Sequence, residues 1–288
     1  MFTLQPHLLE AQGFYVRAGG GYAWEAMTNQ FNNADPNELT MITPSTETRV
    51  SSDGSTLTIE KIHGTLGEGY RYSGTVGYMV HSFIGLELEV TYFKGTETLI
   101  GSFDGPGFQS ESTSSIEGFD AMPAVILTPG LEKLNPYARI GLLLTVAGDQ
   151  EINTTVFEAN GAGPGTDLRI GAEAEVESEF SVGYAAALGA TYPLSDRLSL
   201  FGEAKFIAFT IESESASLEE FTTLAEMGGQ AQPVPGQQLE DLPVSRKEFV
   251  FDDIIRQPAQ GSPPPNEPRV LPSQRVNASS IGFNLGIR

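Results

Sequence analysis

Few residues in this chain could carry catalytic chemistry. Histidine occurs only at His7, His63 and His81, and neither an HExxH motif nor a His/Asp/Ser arrangement can be assembled around any of them. His63 is the one candidate base, and a solvated loop histidine is its plainer reading. The glycines of GAGPG, Gly161 to Gly165, lack the Gly-Lys-Ser/Thr that a phosphate-cradling loop needs, so they read as a turn. With no cysteine, thiolate zinc sites, cysteine nucleophiles and disulfides are all removed. Carboxylates are the richer resource. Glu173, Glu175, Glu177 and Glu179 alternate, and with Asp149 and Glu151 they are expected to form a six-carboxylate surface. Clustered carboxylate oxygens suit Ca2+, yet no DxDxDG loop is present and a solvated acidic face explains the pattern as well. No enzyme activity is expected.

The background to these residues is acidic. Sixteen Lys+Arg stand against 37 Asp+Glu over 288 residues, a formal net charge of -21. Such a surface repels a phosphate backbone, which argues against nucleic acid as a partner. The opening residues 1–12 show no basic stretch followed by an apolar one, so the expectation is a chain that is either cytosolic or stripped of its signal. No run approaches about 18 apolar residues, which excludes a membrane-spanning helix but leaves a closed β-barrel open.

Period-two alternation fills that opening. Eight segments separate a large apolar set from a small or polar one: Phe14 to Trp24, Tyr70 to Val80, Ile84 to Tyr92, Phe119 to Leu127, Tyr137 to Val146, Phe180 to Tyr192, Leu198 to Thr210, and Ser280 to the chain end. The third is the cleanest, with Ile84, Leu86, Leu88, Val90 and Tyr92 opposing Gly85, Glu87, Glu89 and Thr91. Pro123 weakens the fourth. The second set is rich in Gly, Ala, Ser and Thr and contains Arg17, Arg71, Glu87, Glu89, Arg139, Glu203 and Lys205. Small residues suit a crowded narrow interior, and charges enclosed there must pair into a network.

Short and long connections alternate strictly, the long ones covering about 25–69, 93–118, 147–179 and 211–274. That pattern predicts an all-β, eight-stranded antiparallel up-and-down transmembrane β-barrel with long extracellular loops. Residues 1–12 would be a periplasmic tail and 13–288 one barrel domain. Aromatic girdles are expected at both membrane boundaries: Tyr22, Trp24, Tyr70, Tyr72, Tyr92, Phe119 and Phe180 toward the long loops, and Phe14, Tyr78 and Tyr192 toward the short turns. The alternation of Ser55 to Ile62 suggests that the sheet continues above the membrane; continued likewise, Asp149, Glu151, Glu173, Glu175, Glu177 and Glu179 share the parity of the lumen-facing set and would stand near the mouth. The fourth loop is Pro-rich and holds an apolar patch, Phe249, Val250, Phe251, Ile254 and Ile255, which reads as a packing anchor or as a binding element.

The Gly-Tyr-rich GFYVRAGGGYAW, the PYARIGLLL stretch, the LSLFGEAKF return and the terminal IGFNLGIR together resemble the outer-membrane β-barrel superfamily, whose small members include the OmpA transmembrane domain, OmpX and OmpW. The resemblance covers the strands, nearly half of the chain, and departs from the pattern at Ile287 and Arg288, where many members end on an aromatic residue. It implies the bacterial cell outer membrane, contact with outer-membrane lipid, a cleaved signal and insertion by the barrel assembly machinery. The expected role is non-enzymatic, structural or adhesive, with acidic loops meeting an extracellular or neighbouring surface protein. Two alternatives accompany it: a narrow conduit for small or hydrophobic solutes resembling OmpW, with a lateral gap at Pro123, and a soluble lipocalin-type barrel with its apolar faces inward.

Overall fold

The computed structural model describes residues 13–34, 42–254 and 264–288. The expected tail 1–12 and Ile255 of the apolar patch lie outside these residues. Eight strands close into an antiparallel barrel: β1 Gly13–Glu25, β2 Gly69–His81, β3 Ile84–Gly95, β4 Phe108–Leu127, β5 Asn135–Glu158, β6 Val182–Ser195, β7 Leu198–Ala208 and β8 Ser280–Ile287. Each pairs with the next in sequence, and β8 returns to β1 in the register Ala18↔Ile287 to Glu25↔Ser280. Closure leaves no barrel edge unpaired.

The side chains divide by face as the alternation requires. Leu88 is 52% exposed on the outer wall, whereas Arg139 is 2% exposed inside. The large apolar set points outward along every barrel strand, the opposite of a lipocalin-type interior. Glycine and alanine on the inner face leave room for bulky neighbours: a Cβ on Gly189 would lie 2.6 Å from the Tyr137 ring. Pro123 points outward in an unbroken β4. Its missing N–H coincides with a gap in the β4–β5 ladder between Ala121↔Leu144 and Ala124↔Gly141, while pairing to β3 continues through Pro123↔Leu88.

The long connections differ from the expected loops. β4 and β5 run far past the barrel, and between and beside them the sheet continues through Thr98–Gly105, Thr46–Val50 and Leu57–Lys61 on one side. On the other side it continues through Asp167–Ser178, Thr210–Met227, Glu248–Asp252 and Arg269–Pro272. Phe249 and Phe251 are thus half-buried strand residues, and Val250 and Ile254 are exposed. Backbone polar groups of a projecting segment need partners, and strand pairing supplies them where an irregular loop would not.

One step in this upper sheet reverses the faces. Val146 and Ala147 both point outward on β5, and opposite them Glu179 and Phe180 do the same. On the β4 side this extra residue is a bulge, Asp120 pairing with Thr145 but Phe119 with Ala147. Above it, even-numbered residues of β5 such as Gln150 continue the inner face, and odd-numbered ones point out.

Candidate functional site

Within the barrel six of the seven charged residues read from the second set meet at one level. Arg139 is the hub: its Nε lies 2.5 Å from Glu87, its Nη2 2.6 Å from Glu89 and its Nη1 3.0 Å from Glu203. Arg17 bridges Glu203 at 2.8 Å and Glu87 at 3.4 Å, and Lys205 pairs with Glu89. Arg71 stands apart, stacked on the Phe93 ring at 4.1 Å and 3.5 Å from Asp120. Sequence reasoning missed Asp120, which raises the acidic members to four and balances the four cations. Pro123 had obscured the alternation of its segment. It also missed the hydroxyl donors Tyr15, 2.6 Å from Glu87, and Tyr137, 2.8 Å from Glu203, although Tyr137 shares the parity of Arg139.

Apolar tiers cap this network on both sides. Toward the long connections Phe93, Ile116, Met122, Leu143, Ile207 and Phe209 form a core that continues to Leu66 and Val276. Toward the short turns Met79, Ile126, Tyr137 and Phe201 pack together with Tyr15. Beyond them the Arg288 guanidinium covers the Tyr15 ring at 3.7 Å. The lumen is filled side chain to side chain.

The ten residues expected as aromatic girdles all lie on the outer wall or its margins. Phe14 packs on Tyr78 at 4.8 Å near the short turns. At the opposite level Tyr22 meets Trp24 and Tyr70, and Tyr92 meets Tyr72 and Phe119. Phe180 and Tyr192 are exposed. Tyr22 and Tyr92 are only half-exposed, their hydroxyls donating to Glu68 and Glu117.

The six expected mouth carboxylates do not face the lumen. Because both strands take an extra residue, Asp149↔Glu177 and Glu151↔Glu175 pair on the outer face, with Glu173 opposite Asn153 and Glu220. Glu179 lies beyond the bulge, off this run. Partial desolvation, with Glu151, Glu220 and Glu219 nearby, raises the Glu173 carboxyl above its ordinary range. Partial desolvation and Asp149, Glu219, Glu177 and Glu151 do the same to Glu175. Among the described residues no three acidic or histidine side chains are grouped to hold a metal ion.

Above these rows the same face is concave. A trough of about 720 Å³ is lined by one row of small or acidic residues, Glu47, Ser102, Glu111, Thr155, Gly171 and Thr222, and by a row of longer ones that includes Arg49, Gln109, Phe157 and Arg169. Strand register alone aligns them: Ser102↔Glu47, Ser102↔Glu111, Glu111↔Thr155, Thr155↔Gly171 and Gly171↔Thr222 are cross-strand partners. No sequence signal pointed here, since its residues are gathered from all four long connections. His63 and His81 are exposed and distant in register from this face, and His63 Nδ1 contacts the Lys61 carbonyl oxygen at 3.1 Å.

No family model matches the chain, and no curated protein matches it. Its functional reading therefore rests on this geometry.

Proposed function

We propose that the chain is a bacterial outer-membrane β-barrel without enzymatic activity, sealed along its axis, which holds the upper sheet outside the cell as a surface for contact with other molecules. The observation that carries this reading is the inside-out arrangement of one closed wall. Leu86, Leu88, Val90, Ile140, Leu142, Leu188 and Leu285 are all exposed around it, while Arg17, Glu87, Glu89, Arg139, Glu203 and Lys205 are enclosed. A soluble monomer rarely leaves contiguous apolar area beyond a few hundred Å² to water. Acyl chains supply the missing apolar surroundings, and the paired aromatic clusters then stand at the two headgroup levels. The bulge at Val146 lies level with the upper cluster, where Phe119 pairs with Ala147, so the carboxylate rows begin just above that cluster, where lipid ends. Membrane lipid is the first partner implied, and assembly into it requires the barrel assembly machinery.

Single cysteines at Leu88 and Glu87 in a vesicle-reconstituted sample test the reading. A lipid-dissolved thiol probe should label the first and leave the second unlabelled. Equal labelling of the two, or a protein that stays dispersed in plain buffer, would overturn it.

A further inference from the structure

We infer that the β4–β5 bulge encloses a hydration site, in which about two ordered waters, taken in through the outer wall, bridge Arg71, Asp120 and Thr145. The first argument is unmet hydrogen bonding. Arg71 is 6% exposed, yet its Nε and Nη1 make no hydrogen bond within the protein, and the Thr145 hydroxyl is likewise without a partner. Nη1 lies 3.5 Å from Asp120, a charge contact rather than a hydrogen bond, and Nη2 lies 3.4 Å from Ser280 Oγ. The charge contacts of Arg139 are closer, at 2.5, 2.6 and 3.0 Å. Buried polar groups are met by protein or by ordered water, because leaving one unmet costs more than a made bond is worth.

The second argument is space. A cavity of about 30 Å³ is lined by Arg71, Asp120 and Thr145 together with Phe93, Ile116 and Phe209 of the apolar plug. Its origin is in the backbone. Gly118 pairs with Gly148 next to the bulge, and both line the cavity. An added Cβ on Gly118 would lie 2.5 Å from the Ala147 carbonyl oxygen, and one on Gly148 would lie 2.9 Å from that of Glu117. The close approach of the two strands therefore requires both glycines, and neither supplies a side chain to fill the space. Phe119 and Ala147, exposed on the outer wall, complete the lining, so the cavity meets the outer face at the bulge. Solvent reaches Asp120 accordingly: its side chain is 13% accessible, against 0% for Glu87 and 2% for Glu89 and Glu203.

The third argument is the chemistry of the occupant. Arg71 and Asp120 oppose each other in charge, so an anion in the cavity would face the carboxylate and a cation the guanidinium. An apolar guest would leave the guanidinium, the carboxylate and the Thr145 hydroxyl without partners. Water donates to Asp120, accepts from Arg71 and can do either with Thr145, and about two molecules fit a space of this size. Arg71 and Asp120 are then a solvent-bridged pair in exchange with the outside, unlike the sealed network around Arg139.

The site is independent of the bilayer, whose own test is the cysteine labelling at Leu88. Crystals of the full-length protein grown from detergent are measured untreated, after a bromide soak and under xenon pressure. We expect solvent density within hydrogen-bond distance of Asp120 and the Thr145 hydroxyl, with neither bromide nor xenon in the cavity. Bromide there would make it an anion site, and xenon a dry apolar pocket. Arg71 closed directly onto Asp120 with no density beside them would remove the site, so each of these three results overturns the inference. A solution measurement gives a second check by its sign. T145V keeps the side-chain shape and removes the hydroxyl, so it should lower the urea midpoint of the micelle-folded protein by roughly 0.5 M if that hydroxyl is bonded to water. An unchanged or raised midpoint is the response of an unsatisfied hydroxyl in a dry space, and it too would overturn the site.

Discussion

Arg139 holds three carboxylates at once, and a hub of that kind has asymmetric energetics. Breaking a buried ion pair by removing one partner leaves the other charge uncompensated, at a cost of about 3–5 kcal/mol, much more than the net worth of the intact pair. We therefore expect R139L to lower the urea midpoint of the folded barrel sharply, since Glu87, Glu89 and Glu203 would share only Arg17 and Lys205. R139K should recover only part of the loss, because one ammonium cannot reach groups that now meet three separate guanidinium nitrogens. If both variants unfold where the native chain does, the network is not holding the interior together. Seven members of this cluster were legible in the sequence, because a charged residue at the parity of Gly and Ala has nowhere to go but the interior. Asp120 was not legible, since its segment contains Pro123. Nor could spacing reveal that Tyr15 reaches Glu87, a contact across neighbouring strands.

At the level of strands, alternation locates a face only as long as no residue is inserted. The eight barrel strands were readable because their outer set is apolar for its whole length. The upper parts of β4 and β5 lack that contrast, and one extra residue at Val146 turned the carboxylates from the expected inner face to the outer one. Cysteine substitution checks the reversal: E151C and E177C should react rapidly with a membrane-impermeant maleimide, and Q150C and V176C slowly. The reverse order would restore the uninterrupted alternation. The same geometry has a pH consequence. Glu173 and Glu175 have raised carboxyls, so the folded sheet binds protons more tightly than the unfolded chain does. The resulting stabilisation is full below the ordinary carboxylate range and is lost as pH rises through the raised values. Protection of the Val176 amide from exchange should accordingly increase on acidification from neutral pH. E175Q should give part of that increase at neutral pH, a few tenths of a kcal/mol after solvent screening. Equal protection at both pH values would mean that the like charges are relieved by something other than protons.

For the molecule as a whole the question is whether a closed wall implies a passage. Eight strands enclose a space that side chains can fill, and here three successive tiers fill it: an apolar plug, the ion-pair network, and a second apolar layer under Arg288. Ions crossing would have to displace Phe93 and Phe209 as well as open Arg139 from its carboxylates. The gap in the β4–β5 ladder at Pro123 offers no bypass, because Met122 and Leu143 behind it are buried in the plug. We expect no single-channel steps from the protein in planar bilayers, and none from R139L either, since the apolar tiers remain when the network is cut. Steps in R139L alone would make the network the gate, and steps in the native chain would make it a conduit. The wall itself can be probed from the lipid side. L88R places a charge on the outer face near mid-barrel, where it should cost about 2–4 kcal/mol of folding free energy in bilayers. E111R, on the upper sheet, should cost almost nothing. A soluble barrel would show no such difference, L88R being as harmless as E111R at an exposed position, so the two variants measured in vesicles decide which solvent this wall was built to meet.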